Sequence, residues 1–416
     1  MDTANPTPAR GPVPPGERLE ALDVLRGLAL LGILLMNARA FLMPEAAYRQ
    51  PLAWGEPGWA GVAAFMLVNL FASEKSLGLF ALLYGVGIVL MAERMEARGA
   101  APPGPHLRRT LALLLIGLAH AYLIWYGDIL TLYAVAALAV YPLRRLPAGW
   151  LAGAAAVFYG VRQAIFYHQA PGWLANAANG TWWNPTAAEY AGEIAFRRGP
   201  VSGQFSWNMD QALYFHLDVY PINTFWLAGA FMLGGMALAR AGVFRNPARL
   251  SRRGWAVAGG CLLGTGLALE AAALLFWQAS GFAYADYLGS YTALHAGATP
   301  LLVGGCVAGV TALCRTQALR SVRTLLAAAG RLALTNYLLQ TLVGIYAVNA
   351  LGLFARLSYP GVAALALAVF AVQAVGSWLY LRYFRQGPLE AILRRATYAG
   401  ASPGQGQTRP PPSEAP

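Results

Sequence analysis

Apolar stretches long enough to cross a lipid bilayer follow one another through nearly the whole chain. A spanning helix needs about 20 predominantly apolar residues. An eleventh stretch, 59–72, is short, and it crosses the membrane, re-enters it or lies at its surface. The pattern predicts an all-α fold, a polytopic transmembrane helix bundle with 10–11 spanning helices. The ten long stretches lie at 24–43, 76–93, 108–126, 128–143, 147–166, 219–240, 254–278, 291–313, 323–348 and 361–384.

The scarcity of charge supports a membrane protein rather than a soluble one with an anchor. Only 12% of the 416 residues are charged, against about 25% in soluble domains. The net charge of +12 comes from arginines grouped in alternate loops, the arrangement that marks cytoplasmic loops of membrane proteins. It therefore predicts no nucleic-acid partner. The C-terminus is expected in the cytoplasm, and Arg10, Arg18 and Arg26 favour the same side for the N-terminus.

Five regions follow from this division of the chain. Residues 1–17 and 399–416 are rich in proline or polar residues and are predicted to be disordered tails. A transmembrane bundle at 18–166 and a second transmembrane region at 219–398 flank an extracytoplasmic, aromatic-rich loop at 167–218. Its tryptophans and tyrosines either anchor the protein at headgroup level or form an outer cap around a binding groove.

The strongest catalytic candidates are His120 and Asp128, at the outer end of one helix and the start of the next. An imidazole beside a carboxylate is the minimum needed for general-base catalysis on a hydroxyl. In the alternative interpretation, His120 binds a neighbouring helix and Asp128 caps the following helix at its N-terminus.

Two further polar sets interrupt the apolar pattern. Arg26 and Asn37 lie eleven residues apart, about three turns, and share one helix face. Arg26 either holds a phosphate of a donor molecule or pairs with Asp23, three residues away. Adjacent residues point apart on a helix, so Glu74 and Lys75 should each find a partner elsewhere.

A fourth polar set, Gly330 to Gln340, lies at the start of an apolar segment. Arg331 and Thr335 would share one face of a continuous helix, and Asn336 and Gln340 another. The set suggests a hydrogen-bonded bundle interior, with a substrate-facing role for Arg331 and Asn336 as the alternative. His295 is interpreted as a buried, hydrogen-bonded histidine. Three cysteines without CxxC spacing are read as buried free thiols and predict neither a disulfide framework nor a metal site.

Together these blocks resemble the YeiB family of bacterial inner-membrane proteins, also called domain of unknown function 418. The resemblance rests on Leu22 to Asn37, Lys75 to Gly87, Gly127 to Leu130, Gly330 to Gln340 and the closing Gly387-Pro-Leu-Glu390. It covers residues 18–398 and implies a multi-pass protein of the inner membrane, with region 219–398 as the part that resembles the family domain.

The family is more remotely similar to membrane acyltransferases, which move an acyl group from a cytoplasmic donor to an extracytoplasmic sugar. Their pattern of arginine, ten residues and histidine in the first helix ends here on Asn37 rather than histidine. The resemblance therefore implies that a catalytic histidine comes from elsewhere, and His120 is the candidate.

The sequence leads to a hypothesis with two rivals. As an acyltransferase, the protein would use His120 as base and Asp128 as its orienting group. Arg26, Asn37, Lys75, Arg331 and Asn336 would bind an acyl donor and an envelope glycan or lipid acceptor. The alternatives are a transporter or exporter and a non-catalytic envelope protein. Membrane lipids are the expected surroundings, no cofactor or metal is predicted, and nothing in the sequence indicates an oligomeric state.

Overall fold

The computed structural model describes residues 19–97, 103–179, 182–245 and 250–399, and the two predicted tails lie outside this part apart from Ala399. The described residues form helices and no strands, which confirms the all-α prediction. The helices are α1 (Glu20–Leu42), α2 (Glu45–Arg49), α3 (Gly58–Phe71), α4 (Ser73–Glu96), α5 (Pro103–Leu123), α6 (Leu130–Val140), α7 (Ala148–Asn179), α8 (Ala187–Arg197), α9 (Val201–Tyr214), α10 (Phe225–Arg240), α11 (Arg252–Ala279), α12 (Tyr284–Asp286), α13 (Thr292–Leu313), α14 (Arg320–Arg331), α15 (Ala333–Leu342), α16 (Val348–Ala350), α17 (Tyr359–Tyr383) and α18 (Pro388–Tyr398).

Six helical stretches of the described chain are long and apolar enough to cross a membrane, which makes this a multi-pass membrane protein. The other predicted segments coincide with α5, α6, α7 and the α14–α15 pair, and their crossing stays a prediction. The six stretches are Glu20–Leu42, Gly58–Glu96, Ser202–Arg240, Arg252–Ala279, Tyr284–Leu313 and Tyr359–Tyr383.

The short segment 59–72 is not a separate crossing, because α3 continues into α4 through a single kinked residue. Ala72 has φ −110° and ψ −66°, and the two helices form one stretch of 39 residues. Phe65 lies level with Arg39 of α1, whereas Ala72 lies level with Gly32. The broken helix therefore runs antiparallel to α1 and returns the chain to the end where α1 began.

The arginine-rich loops meet at one end of the bundle, here called the arginine end. Arg145 pairs with Glu96 at 3.1 Å and Arg323 with Glu20 at 3.3 Å. Arg108 Nε donates to the carbonyl of Thr397 at 3.2 Å. The start of α1 and the end of α18 thus lie at the same end, as expected if both termini face one compartment.

The opposite end, here called the aromatic end, is covered by α2, α8 and α9. Where the sequence predicted a loop at 167–218, α7 continues to Asn179 and α8 and α9 follow. The backbone N–H of Glu45 donates to Glu193 Oε1 at 2.9 Å, and Gln50 Nε2 donates to Asn184 Oδ1 at 2.8 Å. These bonds fasten α8 and its preceding turn to α2 as a helical cap.

Candidate active site

The two strongest sequence candidates, His120 and Asp128, lie side by side in the protein interior. His120 Nδ1 is 2.8 Å from Asp128 Oδ1, and both side chains are fully buried. His120 lies one turn before the end of α5, and Asp128 lies just before α6 begins. The turn between the two helices therefore brings together residues that are eight positions apart in the sequence. We call this pair the dyad.

Asp128 holds the imidazole and also caps α6. Its Oδ2 accepts a hydrogen bond of 2.6 Å from the backbone N–H of Thr131, one of the free donors in the first turn of a helix. A Cβ on Gly117 of α5 would lie 2.5 Å from Thr131 N and 3.0 Å from Asp128 Oδ2. Glycine at this position is what lets the start of α6 approach α5. The two sequence interpretations of Asp128 are thus compatible, with one carboxylate oxygen serving each.

The hydrogen bond to Asp128 assigns the tautomer of His120. A carboxylate accepts only, so a neutral imidazole donates its Nδ1 hydrogen and keeps a lone pair on Nε2. His120 Nε2 is buried and has no hydrogen-bond partner among the described residues. The ring of Tyr337 lies 5.2 Å away, centroid to centroid. The arrangement leaves a proton acceptor facing the protein interior.

Side chains from α9, from α15 and from the helical segment Phe215–Thr224 between α9 and α10 fix the turn that carries the dyad. The Tyr220 hydroxyl donates to the carbonyl of Asp128, and Tyr337 Oη accepts from the N–H of Ile129 at 3.3 Å. Asn208 of α9 ties the end of α5 to the turn, because its Nδ2 donates to the Ala121 carbonyl at 2.9 Å and its Oδ1 accepts from Tyr126 N–H at 2.7 Å. The helical cap is therefore bonded to the backbone next to His120.

A second group of buried charges, here called the ion cluster, joins α4, α7, α11 and α13. Lys75 Nζ is 2.6 Å from Glu270 Oε1, and His295 Nδ1 is 2.9 Å from the same carboxylate. Glu74 Oε1 accepts from Arg162 Nη2, and its Oε2 is 3.6 Å from His295 Nε2. Glu74 and Lys75 thus have separate partners, as predicted, and His295 is buried and hydrogen-bonded, as interpreted from the sequence.

Glu270 and Arg162 were missed by the sequence analysis. Each is a single ionisable residue inside a long apolar segment, and such residues in a membrane helix pair with another polar group or serve a function. That signal was available in the sequence. Their partners were not, because Glu270 lies almost 200 positions from Lys75 along the chain.

The basic residues predicted to bind a donor lie on separate elements. Arg26 Nη1 is 2.6 Å from Asp23 Oδ1, and Lys75 pairs with Glu270 in the ion cluster. Arg331 ends α14, and its Nη2 donates to the Arg385 carbonyl at 3.4 Å. Asn37 is half-buried in α1. The geometry gives Arg26 and Lys75 carboxylate partners, and the donor-binding role of these residues stays a prediction.

Asn336 lies in a hydrogen-bonded bundle interior. Its Nδ2 donates to Ser377 Oγ at 2.9 Å and to the Ala329 carbonyl at 3.2 Å. Gln340 Nε2 donates to Gln373 Oε1 at 2.8 Å. Polar side chains thus join α15 to α17, which is the arrangement that the sequence suggested for this block.

The prediction of a continuous helix over 323–348 was wrong. The helix breaks at Leu332, where φ is −108° and ψ is 30°. Glu390 of α18 stabilises the break, because its Oε1 accepts from the N–H groups of Leu334 at 2.8 Å and Thr335 at 3.1 Å. An acidic side chain thus caps the free donors of a new helix. Arg331 and Thr335 belong to two helices rather than to one face of a single helix.

No cluster of three or more His, Cys, Asp and Glu side chains that could hold a metal ion lies within the described ranges. The three cysteines are free thiols. Cys261 is exposed on α11 and Cys306 and Cys314 are half-buried, so the expectation that all three are buried was wrong. A small apolar side chain on the face of a spanning helix is compatible with contact to lipid.

The chain is similar to known bacterial proteins along nearly its whole length. Residues 238–400 match the family model described as "Protein of unknown function (DUF418)". The chain is 32% identical over 412 residues to the uncharacterized protein YxaH of Bacillus subtilis (strain 168), covering 93% of this chain and 96% of YxaH. It is 30% identical over 401 residues to the uncharacterized protein YeiB of Escherichia coli (strain K12), covering 94% of this chain and 99% of YeiB. No solved structure matches the chain at a significant level.

Proposed function

This chain belongs to the DUF418 family of multi-pass membrane proteins, and we propose that it is a membrane-embedded acyltransferase whose general base is His120. One observation carries the proposal. The dyad presents a buried imidazole that is oriented by a carboxylate on Nδ1 and has an unbonded Nε2. This is the arrangement of a base that takes a proton from a hydroxyl as that hydroxyl attacks an acyl carbon.

The proposed reaction assigns a separate task to each member of the dyad. His120 Nε2 accepts the proton of an acceptor hydroxyl or amine, and that oxygen or nitrogen forms a bond to the acyl carbon of an activated donor. The bond from the acyl carbon to its leaving group breaks, and the imidazolium returns the proton to the leaving group. Asp128 holds the Nδ1 hydrogen and stabilises the imidazolium while it exists. Atoms and charge balance without any cofactor.

The positions of the other predicted site residues limit the proposal to the base and its orienting group. Arg26 and Lys75 are paired with carboxylates, so binding an anionic donor would require that each exchange its present partner. The proposal therefore rests on the dyad, with an envelope glycan or lipid as the expected acceptor and a cytoplasmic donor. It places the protein in the bacterial inner membrane with the arginine end in the cytoplasm, because arginine-rich loops stay on that side.

The test compares envelope lipids and glycans from cells that express the wild-type protein or a variant, in a bacterial host deleted for its own family member. Mass spectrometry would detect the mass increment of an added acyl group. We expect His120→Gln to lower acylation by about 10²–10⁴-fold, the usual contribution of a general base. His106→Gln is the matched control, because His106 is a buried histidine on the same helix and lies outside the dyad.

Equal acylation in the His120→Gln and wild-type cells, with equal amounts of protein in the membrane, would contradict the proposal. Asp128→Asn sharpens the test, since an amide at this position favours the wrong histidine tautomer while changing little in shape. Activity should then fall although His120 is still present.

A second candidate function, solute transport, is favoured by the kink at Ala72. Broken helices beside buried charges are a feature of transporter binding sites, and Ala72 lies next to Glu74 and Lys75 of the ion cluster. Purified protein in vesicles with an internal pH-sensitive dye would test this candidate. Proton movement that is lost in Glu270→Gln but kept in His120→Gln would favour transport over acyl transfer.

A further inference from the structure

Arg39 is a buried cation that has no carboxylate partner among the described residues. Its side chain lies in the last turn of α1, and the residue is 2% exposed. Nη2 lies 2.8 Å from the thioether sulfur of Met36, which is a weak acceptor. Nε and Nη1 are buried without any hydrogen-bond partner. Two of the three guanidinium nitrogens are therefore unsatisfied in the protein interior.

The other buried arginines of the described chain are better satisfied. Arg162 pairs with Glu74, and Arg323 pairs with Glu20. Arg197 donates to the carbonyl of Ala40 at 3.3 Å. A buried charge without a partner is costly. An anion from outside this chain would supply the acceptors that the Arg39 guanidinium lacks.

The surroundings of Arg39 are aromatic rather than charged. The ring centroids of Tyr48 and Phe65 lie 5.2 Å and 4.8 Å from the guanidinium carbon. Aromatic faces stabilise a cation to a limited extent and supply no strong acceptor for N–H groups. The two rings therefore hold the guanidinium in place while leaving its hydrogen bonds unmade.

Arg39 lies close to the end of its spanning helix. It lies one turn before the end of α1, and the nearby Tyr359 begins α17. The Tyr359 hydroxyl donates to the carbonyl of Ala47 in α2 at 2.9 Å. Spanning helices end at the headgroup level, which is also where tyrosine is enriched.

Helix α3 packs over Arg39 with one face and is exposed on the other. Its buried residues are Gly61, Phe65 and Asn69, which form a single stripe, whereas Trp59 and Phe71 are 86% and 63% exposed. Phe65 is the residue of that stripe that covers Arg39. The helix ends at the Ala72 kink and begins at Gly58, whose φ of +57° favours glycine. Both ends of α3 therefore allow a change of backbone direction.

We propose that Arg39 is the anion-binding residue of a site for the phosphate group of an amphiphilic molecule, reached from the membrane past α3. A guanidinium binds phosphate oxygens through paired N–H donors. The site is independent of the dyad, and it requires no acyl transfer.

Native mass spectrometry of the purified full-length protein in detergent tests the site directly. The probes are phosphatidylglycerol and diacylglycerol with the same acyl chains, of which only the first carries a phosphate. We expect Arg39→Gln to weaken phosphatidylglycerol binding by about tenfold, the effect of losing one charged hydrogen-bonded contact. Diacylglycerol binding should not distinguish the variants. Arg49→Gln is the matched control, because Arg49 is an exposed arginine at the same end of the bundle.

Inorganic phosphate identifies the source of the bound group. If it displaces phosphatidylglycerol, the site takes free phosphate groups, and if it does not, the site takes lipid headgroups. Equal binding by wild type and Arg39→Gln would overturn the proposal, and so would an equal loss in Arg39→Gln and Arg49→Gln. Should Arg39→Gln fail to fold, Arg39→Lys decides, because lysine keeps the charge without the planar fork. A severalfold weakening would then support the site, and unchanged affinity would contradict it.

Discussion

The dyad and the ion cluster each contain a buried histidine whose Nδ1 lies against a carboxylate, yet they differ at the other ring nitrogen. His120 is 2.8 Å from Asp128, and His295 is 2.9 Å from Glu270. His120 Nε2 has no partner among the described residues, whereas His295 Nε2 faces Glu74 at 3.6 Å. Glu270 is also bound by Lys75. Both sites pair a histidine with a carboxylate in the same way. The histidine of the ion cluster faces a second carboxylate, whereas the histidine of the dyad has one partner.

The difference indicates which site is open to chemistry and which holds helices together. A histidine with an unbonded nitrogen can accept a proton from an arriving molecule without first breaking a contact. A histidine between two carboxylates, one of them bound to lysine, gains nothing from a new partner. The ion cluster links four helices and should contribute mainly to stability, whereas the dyad should contribute mainly to activity.

The largest expected effect on stability comes from breaking the ion cluster. Glu270→Ala leaves Lys75 buried without its carboxylate and removes the acceptor of His295. Loss of one partner of a buried pair costs about 3–5 kcal/mol. The free energy of unfolding in mixed detergent micelles measures it. His120→Gln should cost less, about 1–3 kcal/mol, because it removes one buried hydrogen bond.

The double variant Lys75→Met with Glu270→Met separates charge from packing in the same cluster. Replacing both charges by apolar side chains of similar size should restore part of the lost stability, because Lys75 is no longer an unpaired buried charge while His295 still lacks its acceptor. If Glu270→Ala unfolds like wild type, the ion cluster does not hold the bundle, and the contrast with the dyad disappears.

A smaller effect is expected from moving the dyad without changing its chemistry. In Gly117→Ala the new methyl group would lie 2.5 Å from Thr131 N and 3.0 Å from Asp128 Oδ2. Such overpacking costs about 1–3 kcal/mol, and it should also lower acyl transfer because the start of α6 carries Asp128. Gly160→Ala in α7 meets nothing within 4 Å and serves as the control, with stability unchanged or slightly raised. Full activity in Gly117→Ala would show that the position of Asp128 is not critical.

The smallest effect concerns the pH dependence of the helical cap, outside the spanning helices. Burial raises the pKa of Glu193, although the N–H of Glu45 donates to its carboxylate and opposes the shift. A carboxyl whose pKa is raised by folding favours the folded state when protonated. Docking of α8 should therefore weaken as pH rises through and above about 4.3, the ordinary glutamate value.

Hydrogen exchange of α8 amides as a function of pH measures this effect. Glu193→Gln keeps an oxygen acceptor for Glu45 N–H and cannot ionise, so the pH dependence should become flatter. Asp210→Asn, which changes an exposed carboxylate on α9 of the same cap, controls for a general loss of charge. An unchanged pH profile in Glu193→Gln would show that another group controls the docking.

The sequence was sufficient for the all-α fold, for six of the predicted spans and for the pairing of the dyad residues. Apolar length predicts helices, and a histidine eight residues before an aspartate across a short turn is a local relationship. Such pairs are constrained by the connection itself. The separate partners of Glu74 and Lys75 also followed from local geometry, since adjacent helical residues point in different directions.

Ion pairs and hydrogen bonds between distant segments could not be predicted from the sequence in the same way. Lys75 meets Glu270, and Leu334 meets Glu390, only because helices far apart in sequence pack together. The breaks at Ala72 and Leu332 have no proline or glycine at the broken residue. They depend on groups that take up the freed backbone donors and acceptors, as Glu390 does and as Lys75 does by donating to the Asn69 carbonyl at 2.7 Å.

The bridge made by Asn208 has a thermodynamic consequence. It joins α9 to the backbone of the last turn of α5 and to the connection that follows it, beside His120. A ligand that favours one arrangement of this turn must also favour one docking of α9, and the coupling free energy is the same in both directions. Binding of a ligand at the buried dyad should therefore slow amide hydrogen exchange in α9, although the ligand does not contact that helix.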